Sequence, residues 1–183
     1  MIARYGRHRP VGPRVLERES RRSLPVTQRL NLYAMNKKSL EPMLAIEAYL
    51  KDCWLEHALM HLVKMRASQI NGCAYCLHMH SAEALKEGED AKRLFLLDAW
   101  RESKLYTPRE RAALAWTEAL TNISETHAPD EDFAALKAQF SDKEIGDLSL
   151  LVATINSWNR LAIGLRSEHP NDKSARARAE AAE

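Results

Sequence analysis

Cysteine, glycine and long hydrophobic runs are all scarce in this sequence of 183 residues. Three cysteines are too few for the disulfide framework of a small secreted protein. The longest stretch without Asp, Glu, Lys or Arg covers 16 residues, 67–82, whereas a membrane-spanning helix needs about 20 mostly apolar residues. Six glycines, seven prolines and 45% hydrophobic residues exclude fibrous and wholly disordered proteins. We therefore predict one compact, soluble domain without a membrane partner.

Positive charge is concentrated at the beginning of the sequence. Residues 1–30 contain eight arginines and two acidic residues, a net charge of +6, and the remaining residues carry −4. We interpret residues 1–27 as an Arg-rich N-terminal extension and residues 169–183 as a polar C-terminal tail, because disorder concentrates at chain termini. The body between them is mildly acidic, which does not favour a nucleic-acid partner.

The sequence pattern from residue 39 onward is helical. Apolar residues recur at spacings of three and four, and no alternating run typical of a strand is present. Thr107 and Ser141 each begin a capping-box pattern, with a glutamate three residues later, and Gly88 has the position of a helix C-terminal glycine. We predict an all-α domain over residues 28–168. Its seven helices are expected near 39–52, 55–70, 73–87, 90–102, 108–122, 130–139 and 142–166.

Two of the three cysteines form a Cys-x-x-Cys pair. Cys73 and Cys76 are three residues apart, and His80 follows four residues later, so on a helix all three lie along one face. A thiolate attacks a peroxide, and a second thiol nearby condenses with the resulting sulfenic acid to a disulfide. The start of a helix after Gly72 favours the thiolate. The pattern therefore favours redox chemistry.

Two other interpretations of the pair stay open on the residues alone. His57 and His61 are four apart on the preceding helix, and with Cys73 and Cys76 they form a set with plausible zinc spacing. The cysteines could instead be buried structural residues. Cys53 is interpreted as a lone, partly buried thiol.

Three segments carry a family resemblance. They are residues 61–80 (HLVKMRASQINGCAYCLHMH), 107–118 (TPRERAALAWTE) and 153–160 (ATINSWNR). With these segments the chain resembles the AhpD-like alkylhydroperoxidase core of the carboxymuconolactone decarboxylase superfamily, over roughly residues 28–167. The resemblance implies an all-α bundle of about six to seven helices and a homo-oligomer, in which dimers often assemble into trimers or hexamers.

The resemblance also implies roles for site residues. Cys76 attacks a hydroperoxide, Cys73 resolves the product, and His80 belongs to the proton relay. The family places a glutamate 12 residues before the first cysteine as the base of that relay, and this chain has His61 there. A neutral imidazole can accept a proton, so we assign His61 to the relay. Some members have histidine between the cysteines, where this chain has Tyr75, a poor base at neutral pH.

The prediction is thus a cytoplasmic thiol peroxidase that acts on hydrogen peroxide or organic hydroperoxides. A dithiol or lipoyl-protein reductant would recycle its disulfide, and no metal or organic cofactor is needed. The alternatives are a non-enzymatic, redox-sensing or zinc-binding helical oligomer and a decarboxylase-like member. Trp158, Asn159 and Arg160 lie in a motif of the family, but their chemistry assigns them no catalytic role. Arg160 is a candidate for a structural salt bridge.

Overall fold

Helices account for all regular secondary structure of residues 27–168, which are the residues that this computed structural model describes. Over this range there are nine α-helices and one 3₁₀ turn, and no helix is long and apolar enough to cross a membrane. The α-helices are α1 (Leu32–Met35), α2 (Lys37–Lys51), α3 (His57–Asn71), α4 (Ala74–Lys86), α5 (Ala91–Leu96), α6 (Pro108–Thr121), α7 (Ile123–Thr126), α8 (Asp130–Lys137) and α9 (Asp142–Leu165).

The all-α prediction is confirmed, and the seven predicted helices correspond to the seven longer helices of the structure. The helices α1 and α7 were not predicted, because a four-residue helix is too short to show a period. The helix predicted at 90–102 is shorter: α5 ends at Leu96 and a 3₁₀ turn, Leu97–Ala99, follows. The predicted extension, except for residue 27, and the predicted tail at 169–183 lie outside the described residues.

Helix α3 lies at the centre of the fold, packed against α4, α6 and α9. The buried face of α9 repeats at helical spacing through Leu148, Leu151 and Ile155, each fully buried. The same face continues to Asn159, a polar side chain that is also fully buried. Helix α3 opposes it with Val63 and other apolar residues, so the core lies between these two helices.

A partly buried carboxylate joins α3 to α6. Glu118 accepts hydrogen bonds from Arg66 Nε at 2.7 Å and from Trp100 Nε1 at 2.8 Å, and it also pairs with Arg101. The two hydrogen bonds compensate for its burial, since an unpaired buried charge is strongly unfavourable. Helix α3, which leads into the cysteine segment, is thereby held to α6.

Both predicted capping boxes are present, and that of α9 has an electrostatic consequence. Glu144 accepts from Ser141 N at 2.8 Å and from Ser141 Oγ at 2.7 Å, and Arg109 Nη2 lies 2.6 Å from its other oxygen. The Ser141 hydrogen bonds, with the Arg109 charge, lower the pKa of Glu144 to about 2.

We expect Glu144→Gln to lower the free energy of unfolding by about 1 kcal/mol at neutral pH, the usual scale of a helix cap. Because the folded pKa lies below the ordinary value of 4.5, this stabilisation is present above about pH 4.5 and is lost as the pH falls towards 2. Urea denaturation at several pH values measures it. The exposed Glu102 provides a control, Glu102→Gln. If Glu144→Gln lowers the free energy of unfolding equally at pH 7 and at pH 2, the lowered pKa of Glu144 is contradicted.

Candidate active site

The joint between α3 and α4 places the first cysteine at a helix N-terminus. Gly72 adopts the left-handed conformation, with φ of 69°, and so turns the chain sharply after α3. Cys73 follows in an extended conformation as the N-cap of α4, and its Sγ accepts a hydrogen bond from Cys76 N at 3.4 Å. The thiol of Cys73 therefore caps the helix, as a serine or aspartate would.

The two cysteines of the pair are in direct contact. Their Sγ atoms are 2.8 Å apart, and both residues are free thiols and buried. They pack in a small cluster with Ala67 and Ile155. Cys53 is partly buried and packs against a different hydrophobic cluster, as expected for a lone thiol. The pair is therefore close enough to exchange a proton.

The two thiols have opposite pKa shifts. The hydrogen bond from the Cys76 thiol, together with backbone N–H groups at the start of α4, lowers the pKa of Cys73 to about 7. The same sulfur–sulfur hydrogen bond, burial and the neighbouring Cys73 charge raise the pKa of Cys76. The reduced pair therefore carries its first negative charge on Cys73, and it acquires that charge as the pH rises through about 7.

A cavity of about 740 Å³ opens beside the pair, and Cys76 is on its wall whereas Cys73 is not. This volume accommodates a small organic molecule. The wall combines apolar and aromatic side chains, among them Tyr33, Tyr75 and Trp158, with a few charged ones. Access and charge are thus divided between the two cysteines, because the sulfur that faces the cavity is not the one with the lowered pKa.

His80 also lines this cavity and is paired with a carboxylate. Its side chain is 5% exposed, and its Nδ1 lies 2.8 Å from Glu83 Oε2. The hydrogen bond from His80 lowers the pKa of Glu83, so the acceptor is a carboxylate and Nδ1 carries the proton. The other ring nitrogen, Nε2, is then the one available for proton transfer in the cavity.

His61 is engaged elsewhere. Its Nε2 lies 3.0 Å from Glu87 Oε2, which His57 Nδ1 also approaches at 3.5 Å, and His61 is not among the described residues that line the cavity. Its Nδ1 is buried without a hydrogen-bond partner. The structure thus brings together Cys73, Cys76 and His80, and it places His61 beside a different glutamate.

The proposed zinc ligands do not converge. Over residues 27–168 no group of three or more His, Cys, Asp or Glu side chains is arranged to hold a metal ion. His57 and His61 both face Glu87, whereas the cysteines face each other and the cavity. This placement counts against the zinc-binding alternative.

Comparison with known proteins identifies the family of this chain. Residues 41–119, which contain Cys73, Cys76 and His80, match the model of the carboxymuconolactone decarboxylase family. The uncharacterized protein YdfG of Bacillus subtilis is 36% identical over 140 residues, which cover 76% of this chain and 95% of that protein. The chain belongs to the carboxymuconolactone decarboxylase family.

Two solved structures share this fold. Agrobacterium tumefaciens ATU0492, described as a putative antioxidant defence protein AhpD, is 44% identical with a TM-score of 0.77, over 79% of this chain and 99% of that one. The debrominase Bmp8 is 23% identical with a TM-score of 0.63, over 75% of this chain and 72% of that one. At the latter identity the likeness concerns the fold alone.

In this carboxymuconolactone decarboxylase family member, sequence reasoning missed several residues of the site. Glu83 could have been predicted from the sequence, since it follows His80 by three residues and so shares its helix face. Glu47 could not have been predicted, because it lies on α2, far along the chain from the cysteine pair. Its carboxylate accepts from Lys64 Nζ at 2.8 Å and from Trp158 Nε1 at 3.0 Å at the cavity wall. Only the packing of α2 against α3 and α9 brings this group to the site.

Proposed function

We propose that the protein is a thiol-dependent peroxidase that reduces hydrogen peroxide or organic hydroperoxides through a dithiol–disulfide cycle. One observation carries the proposal: two free thiols 2.8 Å apart lie beside a cavity, and the thiol on its wall shares that wall with a histidine paired to a carboxylate. The description of ATU0492 as a putative antioxidant defence protein is consistent with it.

The first step forms a sulfenic acid on Cys76. The Cys76 proton passes to the Cys73 thiolate, and Cys76 Sγ attacks the terminal oxygen of the hydroperoxide. An S–O bond forms as the O–O bond breaks. The alkoxide, or hydroxide in the case of hydrogen peroxide, leaves with both electrons of that bond and takes a proton that His80 Nε2 has accepted from solvent. Cys76 is now the sulfenic acid and Cys73 a thiol.

The second step forms the disulfide. Cys73 Sγ attacks Cys76 Sγ, hydroxide leaves, and it combines with the Cys73 proton to give water. The net reaction consumes the singly charged dithiol, one hydroperoxide and one proton, and it yields disulfide, alcohol and water. A dithiol or lipoyl protein restores both thiols by exchange. None of these steps requires a metal or an organic cofactor.

The relay carboxylate in this proposal is Glu83. It holds Nδ1 of His80, which directs Nε2 to the cavity. His61, which the sequence assigned to the relay, does not contact His80 in this proposal. It forms a second imidazole–carboxylate pair with Glu87, the residue just after α4. A proton on His61 contributes to the local charge, since its field reaches Glu83.

We also propose that the protein works in the cytoplasm, because a cycling dithiol needs a reducing compartment. We propose further that it is a homo-oligomer. Dimers, trimers and hexamers are the expected assemblies. A redox sensor on the same scaffold would form the same disulfide without multiple turnover. A decarboxylase-like enzyme would keep its activity without the cysteines.

A single-turnover experiment tests the proposal. When the reduced protein is mixed with one equivalent of cumene hydroperoxide, we expect loss of two thiols per chain, formation of a Cys73–Cys76 disulfide and a third thiol, Cys53, that remains alkylatable. Mass spectrometry after alkylation measures all three. An excess of dithiothreitol should then sustain many turnovers. Consumption of hydroperoxide without the intramolecular disulfide would contradict the cycle, and one turnover only would indicate a sensor.

A further inference from the structure

The cavity beside Cys76 is apolar over most of its wall. Helices α1, α2 and α9 contribute five leucines to it, which are Leu32, Leu40, Leu44, Leu161 and Leu165. A wall of this kind binds an apolar body by removing its surface from water. Hydrogen peroxide has no such body, so the wall favours an organic hydroperoxide.

A pair of opposite charges lies on the same wall. Lys64 Nζ donates to Glu47 Oε2 at 2.8 Å, and Trp158 Nε1 donates to the other oxygen, Oε1, at 3.0 Å. Both charged side chains are largely buried, with 16% of Lys64 and 26% of Glu47 exposed. Each carboxylate oxygen therefore has a donor, and the positive charge of Lys64 is matched by a negative charge in contact with it.

The charges on the cavity wall are mainly negative. Within the described part of the chain, Lys64 is the one residue on this wall that is cationic throughout the neutral range. Glu47, Glu83 and Glu168 are acidic residues on the same wall. Glu47 balances Lys64, and a protonated His80 does no more than balance Glu83, to which it is bound. This wall therefore offers no unmatched positive charge to an anionic ligand.

We infer that the cavity selects uncharged organic hydroperoxides over anionic ones, and that Glu47 is a specificity-determining residue because it holds Lys64 away from anionic substrates. The inference rests on the proposed function, since it names the substrate class of the same site. A carboxylated hydroperoxide would lose its hydration on entry and would find the cation of the wall already paired. Trp158 acts as a positioning residue, since it binds the second oxygen of Glu47.

This selectivity suits the proposed first step. Cys76 must become anionic as it attacks, and the leaving group departs as an alkoxide or hydroxide. A substrate that carried its own negative charge into the cavity would repel both groups, and the repulsion between like charges is strong where water is partly excluded. An uncharged substrate avoids this repulsion, and its apolar body is still buried against the leucines.

The binding of two product-like alcohols tests the inference without turnover. The probes are cumyl alcohols that carry either a methyl ester or a free carboxylate at the para position, so that they differ mainly in one charge. Reduced full-length protein is titrated with each alcohol at about pH 8, where the carboxylate is ionised. Isothermal titration calorimetry should show that the ester binds about tenfold more tightly. Equal affinities, or tighter binding of the carboxylate, would overturn the inference.

Two substitutions should shift this preference in opposite directions. Glu47→Gln keeps a hydrogen-bond acceptor but removes the charge that balances Lys64, so the carboxylate should bind about tenfold more tightly than in wild type and the ester nearly unchanged. Lys64→Gln removes the cation and should weaken carboxylate binding by about threefold. Glu41→Gln removes the same charge from an exposed site on α2 and is the matched control, which should behave as wild type.

Near-ultraviolet circular dichroism establishes that each variant is folded. Unchanged carboxylate affinity in folded Glu47→Gln would overturn the role of Glu47. If that variant does not fold, tighter carboxylate binding in Lys64→Gln would overturn the inference instead, because the cation would then not be the group that Glu47 withholds.

The corresponding hydroperoxides separate this inference from the proposed function. Selective binding of the ester alcohol without turnover of either hydroperoxide would refute the peroxidase function and leave the selectivity standing. Turnover of the ester and carboxylate hydroperoxides with equal kcat/KM would overturn the selectivity and leave the peroxidase function standing.

Discussion

Cys76→Ser is expected to lower hydroperoxide turnover by about 10³-fold or more, the usual effect of removing the nucleophile from a covalent mechanism. The change from sulfur to oxygen is nearly isosteric, so the cavity wall and α4 should be preserved. The hydroxyl cannot be deprotonated by a neighbour with a pKa of about 7, and it forms no sulfenic acid. Steady-state peroxide consumption with excess dithiothreitol measures the loss.

The remaining cysteines provide the controls for Cys76→Ser. Cys73→Ser should still consume one equivalent of hydroperoxide, but the sulfenic acid should persist and overoxidise, because no second thiol is near. Cys53→Ser should match wild type, since Cys53 packs in a different cluster from the pair. The opposite pattern, with Cys76→Ser active in single turnover and Cys73→Ser inactive, would make Cys73 the nucleophile. The lowered pKa of Cys73 makes that the main rival assignment.

Glutamine at position 83 is expected to reduce kcat/KM by about 10²-fold, at the lower end of the usual range for a general acid–base contribution. The amide oxygen can still accept the Nδ1 proton of His80, but the charge that stabilises a protonated ring is lost. Since the pKa of Glu83 lies below its ordinary value, the carboxylate is ionised throughout the range from about pH 5 to pH 9. The carboxylate charge is therefore missing only in Glu83→Gln, and steady-state kcat/KM of the two proteins over this pH range measures the effect.

Glu87→Gln is the matched control, because Glu87 follows Glu83 by four residues, just after the end of α4, and pairs with His61 and not with His80. It should change kcat/KM by no more than about twofold, as expected for a charge outside the reacting groups. If Glu87→Gln lowers kcat/KM as much as Glu83→Gln does, the proton relay runs through His61 and not through His80. A large increase in kcat/KM for hydroperoxide in His61→Glu would mean that the natural chain is a weakened peroxidase.

Local features of the fold were predictable because they depend on neighbours in the chain. The capping boxes at Thr107 and Ser141 need only a residue and its third successor, and both are present. The glycine after α3 was recognisable from the Asn71-Gly72 pair. The 3₁₀ turn after Leu96 was not, since its residues continue an apolar pattern that a helix would share.

The candidate site divides in the same way. Cys73, Cys76 and His80 share one helix face by spacing alone, and the structure keeps them together. The sequence offered His61 as the relay base because of its distance along the chain from the cysteines. The structure turns its side chain towards Glu87, because His61 on α3 and Glu87 just after α4 meet across the packed helices.

The sequence by itself determined that this chain folds into helices, roughly where most of the longer ones begin and end, and that a cysteine pair opens one of them. Only the tertiary structure decided which sulfur faces a cavity and which carboxylate from another helix, Glu47, reaches the wall of that cavity. The physical reason is the separation along the chain between the interacting residues. Caps and helix faces are set within about four residues, whereas the hydrogen bond between Glu47 and Trp158 joins residues 111 positions apart and exists only once α2 and α9 have packed.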